Sequence, residues 1–469
     1  MQNSLNNDLT KVDQLKNEGK FKEALRIINK LEVKIDLVTE IKFDIYKLKS
    51  SLLYELGYMN KALKYIDLAY KKSQELKNEL KIIDSLIAKI QILNKSEKPQ
   101  EVLRTIDEAK LLLSSINQKN SAEFKERYGY IVLGKSGCLF NMGEFNNALQ
   151  YAEEVFAIAK EIKNKRLMML ASRSLAFNYS LKGYIDRSYE YIKFFLALAQ
   201  ELNDKQEIIG GLNSIGLYFI EKGDFDHALE NLERSLSLCY EIHSFKTIVV
   251  LGSLFEAYYY KGSLEKAKQC LKLMKQFKSL AEFNSSNIFY RLAKAMLLKK
   301  IPGKINRLRA EEILKQIVDD IKPFSGVLYS ALIHLCDVYL TNLSETQNLG
   351  VIDEMQPYIN QLINIAKSQQ SFWLLVEIYS LQAKLKLISF EFGEAKKMLN
   401  FALNIAKEHG KDLLAERIIK EQDKLIEEQT KWESLRESKA TMAELINLAH
   451  VEEQLGQMLR KRLILKRIA

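Results

Sequence analysis

The octapeptide GYIVLGKS, Gly129 to Ser136, matches G-x-x-x-x-G-K-[ST] at every fixed position. Where that pattern binds nucleotide, a strand feeds a glycine-rich turn whose bare backbone N–H groups wrap the phosphates at the start of a helix. Here the four variable residues, Tyr130, Ile131, Val132 and Leu133, form an apolar run suited to packing, and no strand pattern precedes them. The segment LIHLCD, Leu332 to Asp337, ends on an acid that could hold magnesium, but it lies in a helical pattern. Lys135 and Ser136 are therefore read as a false match, and no nucleotide site is expected.

Other reactive residues are scattered. His227, His243, His334, His409 and His450 show no metal spacing, and His334 and Cys336, two apart on a helix, point to different faces. Cys138, Cys239, Cys270 and Cys336 lie far apart within apolar helical patterns, so they read as buried free thiols. Carboxylate pairs such as Glu153 and Glu154, or Asp319 and Asp320, are adjacent rather than one helical turn apart and read as solvated faces. No catalytic constellation emerges; the chain reads as a non-enzyme with no cofactor and no metal.

The elements that position these residues are helices. Only Pro99, Pro302, Pro323 and Pro357 occur in 469 residues, a shortage expected of an all-helical chain. Charge is mildly basic at +10, and five of the cations, Arg460, Lys461, Arg462, Lys466 and Arg467, fall in the last ten residues with no acid among them. Specific nucleic-acid binding is not expected, because elsewhere Lys and Arg are interspersed with acids. The polar opening MQNSLNNDLT and the shortness of every apolar run lead us to expect a soluble, cytoplasmic protein without a transmembrane segment.

An internal period organises the rest. NEGKFKEALRIINK, ELGYMNKALKYIDLA, NMGEFNNALQYAEEVF, EKGDFDHALENLERSL and YKGSLEKAKQCLKLM share glycine, an aromatic or large aliphatic residue two later, and alanine five later. Gly19, Gly57, Gly143, Gly183, Gly223 and Gly262 are expected to end a helix in a left-handed conformation. The alanine place recurs at 24, 62, 102, 148, 188, 228, 267, 310, 355 and 395, with Val102, Ser188 and Met355 among its occupants. Ten helix pairs follow, of which the third and ninth are degenerate; Pro357 is compatible only with the first turn of its helix. In this frame Gly129 to Ser136 is the middle of the fourth pair's first helix.

SIGLYFIEKG, SLAFNYSLKG and SLFEAYYYKG add a small residue and an aromatic upstream of the glycine. Together the motifs resemble the tetratricopeptide repeat, over about residues 5 to 408. The spacing near 40 is similar to the repeats of kinesin light chains and bacterial peptide-pheromone regulators. The resemblance implies an all-α, right-handed α-solenoid of about ten hairpins over 1–408, with a C-terminal helical extension or cap over 409–469. It also implies a protein-interaction scaffold that binds a peptide segment or partner helix on the concave face of the first helices. The alternative is a peptide- or ligand-responsive regulator whose superhelix changes shape to control a partner.

The stripe expected to face that groove is Arg173 and Phe177, Asn213 and Leu217, Gly252 and Glu256, and Tyr290 and Lys294, with Tyr259, Tyr260 and Arg291 nearby. Each pair is four apart and successive pairs are 40, 39 and 38 residues apart, so they share one face and one register. The lysines, asparagines and arginine of a chaperone-tail clamp are not matched. Beyond the repeats, the segment from Lys411 through Leu435 is expected to be one long helix carrying Leu414, Ile418, Leu425 and Trp432. A capping box, Thr441 with Glu444, opens a final amphipathic segment. It is read as a cap, with the basic end as a further contact for a partner, an acidic surface or the protein's own groove.

Overall fold

The computed structural model describes residues 2–33, 38–96, 98–116, 121–277, 284–320, 326–410 and 412–461. Among them are twenty-four helices and no strand. The first helices of ten pairs are α1 (Gln2–Asn17), α3 (Thr39–Glu55), α5 (Glu79–Lys95), α7 (Ala122–Asn141) and α9 (Lys165–Leu181), then α11 (Lys205–Lys222), α13 (Thr247–Tyr260), α15 (Asn284–Lys300), α17 (Gly326–Thr346) and α19 (Phe372–Ile388). Their partners are α2 (Phe21–Glu32), α4 (Met59–Glu75), α6 (Pro99–Ser115), α8 (Phe145–Glu161) and α10 (Ile185–Glu201), then α12 (Phe225–Glu241), α14 (Leu264–Phe277), α16 (Lys304–Asp320), α18 (Gly350–Ser368) and α20 (Phe392–Glu408). They stack as a right-handed α-solenoid, with α3, α5, α7 and α9, and then α11, α13, α15 and α17, in successive contact along its inner layer.

The repeat frame explains the hairpins locally. The six marker glycines have φ between 77° and 84°, so each reverses the chain where a Cβ would be opposed. The alanine place is sealed: Ala24, Ala62, Ala148, Ala228, Ala267, Ala310 and Ala395 are fully buried, as is Ser188, while Val102 and Met355 expose 1%. In five pairs the residue twelve positions upstream is small (Ser50, Ser136, Ala176, Gly216 and Ala383) and lets the two helices approach. Ser50 and Ser136 donate to the carbonyls of Ala62 and Ala148 at 2.8 and 2.7 Å, and Ser188 reciprocally donates to Ala176 at 2.7 Å. At Gly216 a Cβ would come within 2.5 Å of Leu232.

GYIVLGKS is thus the interior of α7, where its amide groups are engaged in helical hydrogen bonds. A Cβ at Gly129 would stand 2.6 Å from Leu167 of α9, and one at Gly134 would collide with Ile90 of α5. Lys135 donates to the Tyr151 hydroxyl at 2.9 Å. The four thiols are buried and free, and burial pushes them up to about 11 for Cys138 and Cys270 and about 12 for Cys239 and Cys336.

Two expectations are corrected. Pro357 lies well inside α18 rather than in its first turn. It is tolerated because Pro357 and Asp353, whose carbonyl loses its helical partner, are both on the exposed face where water can replace the bond. The segment from Lys411 is not one helix: α21 (Asp412–Glu427) and α22 (Gln429–Glu437) are separate. The break lets Trp432 turn inward to 2% exposure, edge-on to Phe390 at 6.4 Å. Phe390 itself takes the place of the missing tenth glycine, at φ 58°.

The winding is tight enough for successive turns to touch. Around Gly19, in the first pair, a Cβ would stand 2.6 Å from Ile242, at the end of the sixth. At the fifth pair a Cβ on Gly183 would stand 2.7 Å from the Trp373 ring, which opens the tenth. The Trp373 indole and the Ser371 hydroxyl donate to the Leu181 carbonyl at 3.3 and 3.5 Å, and Asn146 of the fourth pair donates to Gln370 after the ninth. The partners are five pairs apart. This seam turns an open spiral into a closed one.

Candidate functional site

The expected groove residues separate into three environments. Arg173 of α9 is 32% exposed, and its Nη1 donates to both carboxylate oxygens of Glu207 on α11 at 2.6 Å. Phe177 is half-buried, with its ring 6.4 Å from that of Phe140. Asn213 is only 4% exposed, and its Oδ1 accepts no hydrogen bond. Leu217, Glu256 and Tyr259 are buried, at 0%, 1% and 5% exposure. Tyr259 stacks on Phe255 at 5.8 Å, and burial pushes its phenol upward. Tyr290 is half-buried against the main core and Lys294 is exposed. Arg291 turns away toward the second layer, donating to Asp320 of α16 at 2.6 Å.

Arg173 belongs to a cluster whose other members were not singled out from the sequence. Lys246, at the start of α13, donates to the Gln206 carbonyl at 2.8 Å, and the Gln206 amide reaches the Glu55 carbonyl at 3.5 Å. The first turn of the superhelix therefore brings the ends of α3 and α5 against the starts of α11 and α13. Burial pushes the Lys95 amine down to about 8, and the cations of Arg173 and Lys246 add to that effect against Glu207. Burial pushes the Glu55 carboxyl up to about 7, with Lys246 opposing. Burial would also raise Glu207, but Arg173 and then Lys246 outweigh it and hold the carboxylate at about 2. Lys95 is half-buried, and among the described residues it forms neither a hydrogen bond nor an ion pair. Glu55 and Lys95 are 40 residues apart and Glu207 and Lys246 are 39 apart, so each pair shares one repeat register; the signal was available there.

A second constellation lies further along the inner layer. Helix α21 packs on α20, the last second-layer helix, as an end cap would. Helices α23 (Met442–Leu448) and α24 (Val451–Lys461) turn back instead: α24 touches α11, α17 and α19, first helices of the sixth, ninth and tenth pairs. The capping box forms, with Glu444 accepting from the Thr441 backbone at 2.8 Å. Glu377 of α19 is fully buried, holds Arg417 of α21 through two 3.0 Å bonds, and accepts from Gln454 of α24 at 2.6 Å. Gln454 also donates to the Glu377 carbonyl at 3.2 Å, and Tyr329 of α17 donates to the Met458 carbonyl at 3.2 Å. Beside α24 is a cleft of about 340 Å³, lined by Lys384, Arg417, Glu421, Glu453 and Trp432 among others. The basic cluster expected at Arg460, Lys461, Arg462, Lys466 and Arg467 falls outside the described side chains.

Among the described residues no group of His, Cys, Asp and Glu has the geometry to hold a metal, and no helix is long and apolar enough to cross a membrane. Comparison with known proteins agrees with the architecture. A Rap protein complexed with competence and sporulation factor is 12% identical with a TM-score of 0.53, over 79% of this chain and 99% of that one. The apo quorum sensor NprR from B. thuringiensis is 15% identical with a TM-score of 0.48, over 78% of this chain and 98% of its own. Among curated proteins no match is found. The model of the MalT-like TPR region matches residues 122–411, more than half of the sequence. The long-period helix pairs, the inner layer and this match agree: the chain belongs to the MalT-like TPR family.

Proposed function

We propose that this solenoid is a non-catalytic regulator that binds an acidic peptide segment, or a peptide's terminal carboxylate, at the inner cluster of Lys95, Arg173 and Lys246. The observation that carries the reading is Lys95, a half-buried cation that has no hydrogen bond or ion pair among the described residues and lies beside two others. A charge in that setting is costly unless something pairs with it. Arg173 holds Glu207 through Nη1 alone, which leaves the rest of its planar fork for a second carboxylate, and Phe177 adds an adjacent apolar surface. A Rap protein of the same fold that holds competence and sporulation factor supports the reading. In this view residues 1–408 form the binding solenoid, and residues 409–469 an extension.

The test uses pairs of synthetic peptides identical except for a free or amidated C-terminus, titrated by calorimetry into wild type and Lys95→Met. Binding should favour the free carboxylate and weaken about tenfold or more in Lys95→Met, roughly the loss of one charge-assisted hydrogen bond. Equal affinity in both proteins would remove Lys95 from the site.

A second reading, a regulator that changes superhelical pitch, draws on the seam, where a few contacts such as Trp373 with Leu181 join the turns. Peptide-dependent change in the radius of gyration by solution scattering would favour it; an unchanged radius would count against it.

A further inference from the structure

We infer that the inner face formed by α11, α17 and α19 is a helix-binding groove, and that α24 is its built-in occupant, exchangeable for a partner's amphipathic helix with the same stripe. This does not depend on the carboxylate site proposed above, which is built from Lys95 of α5, Arg173 of α9 and Lys246 at the start of α13. Three observations carry it. First, α24 is not placed as an end cap: α21 covers α20, whereas α24 crosses first helices of pairs as distant as the sixth and the tenth. Second, the contact has the form of helix-in-groove recognition. Val451, Leu455, Met458 and Leu459 are buried at spacings of four, seven and eight residues on one face, while Glu452 and Glu453 are exposed on the other. Third, register is read by polar groups rather than by packing alone. Gln454, 3% exposed, presents its amide to both the carboxylate and the carbonyl of Glu377, and Tyr329 fixes the Met458 carbonyl.

A cleft of about 340 Å³ lies between one flank of α24 and helices α19 to α22. Interiors are close-packed, whereas this space has a charged edge of Lys384, Arg417, Glu421 and Glu453 that can hold water, facing apolar Leu387, Leu399, Leu425 and Trp432. One flank of α24 is therefore already solvated, which lowers the cost of lifting it. The partner that fits is an amphipathic helix carrying apolar residues at i, i+4, i+7 and i+8, with a glutamine at i+3 to meet Glu377.

The probe is a fluorescein-labelled peptide of residues 442–461, added to the full chain and to full-length Leu455→Asp, in which α24 should leave the groove. Anisotropy should show at least tenfold tighter binding to Leu455→Asp than to wild type, and no binding of a peptide that itself carries Leu455→Asp. A folded Leu455→Asp chain that ignores the wild-type peptide would overturn the proposal. Should that variant lose its cooperative unfolding, hydrogen exchange on wild type decides. Amides of α24 exchanging at least tenfold faster than those of α19 support a detachable occupant; identical protection, lost only with global unfolding, makes α24 an integral cap and overturns it.

Discussion

Trp373 donates its indole N–H to the carbonyl of Leu181 across 192 residues of sequence, and in doing so joins the tenth helix pair to the fifth. Close by, Gly183 ends α9 with φ 78°, its missing Cβ making room for the same indole ring. The glycine has two duties: reversing the chain and admitting the next superhelical turn.

Those duties are separable by substitution. Gly223→Ala, at φ 80° with nothing within 4 Å of the new methyl, should cost only the left-handed backbone, about 1 kcal/mol. Gly183→Ala must also displace Trp373, adding about 1–3 kcal/mol of overpacking. Urea denaturation of both checks this; equal losses would mean that the seam yields freely.

The chain's two tryptophans allow the seam to be watched. In Trp432→Phe the remaining Trp373, 6% exposed, should emit at a blue-shifted wavelength. Its red shift in urea should coincide with loss of helical dichroism, because contacts between turns tie the pairs into one cooperative unit. An earlier fluorescence transition would show that the turns part before the pairs melt.

Acid and base act on the inner cluster in opposite senses. Glu207 is held at about 2 in the folded chain against an ordinary 4.5. Its contribution is present above pH 4.5 and is lost as pH falls toward 2. Glu55 is raised to about 7, so the folded chain is favoured by its neutral form below pH 4.5 and loses that advantage as pH rises through 7. Glu55→Gln should accordingly be near neutral at pH 4 and stabilising by about 1–2 kcal/mol at pH 8. Thermal melts at the two values test it, and a stabilisation independent of pH would contradict it.

The Glu377 lock should be asymmetric. Arg417→Met strands a fully buried carboxylate and should cost about 3–5 kcal/mol, whereas Arg417→Met with Glu377→Leu should recover much of that loss. A double-mutant cycle with no coupling would assign the stability of this region to packing alone.

Lys135→Ala removes a bond to Tyr151 and a cation lying 4.5 Å from the centre of that ring. We expect a loss of about 1 kcal/mol or less and no change in response to ATP, since the motif is helix interior. ATP protection of wild type lost in Lys135→Ala would reverse that reading.

The pairs were legible because each marker acts locally: a glycine must reverse the chain beside it, and Ala148 must meet Ser136 twelve residues back. The seam was not, because whether Gly19 reaches Ile242 depends on small rotations accumulated over five pairs. The site divided likewise. Arg173 was found from register, but its relation to Lys95 needed the turns to close, and Arg291, expected beside the stripe, pairs with the second layer. The breaks at Glu428 and at Ala449–His450 carry neither proline nor glycine. Tertiary packing of Trp432 and α24 made them.

Contacts between pairs five apart also make the array countable. Most solenoids can gain or lose a unit anywhere, since each unit knows only its neighbours. Here a pair inserted between the fifth and the tenth would hand Gly183 the wrong partner and leave Trp373 without its acceptor. Growth by duplication is therefore open at the ends and closed in the middle, so that the five-pair spacing between partners is kept by geometry rather than by chance.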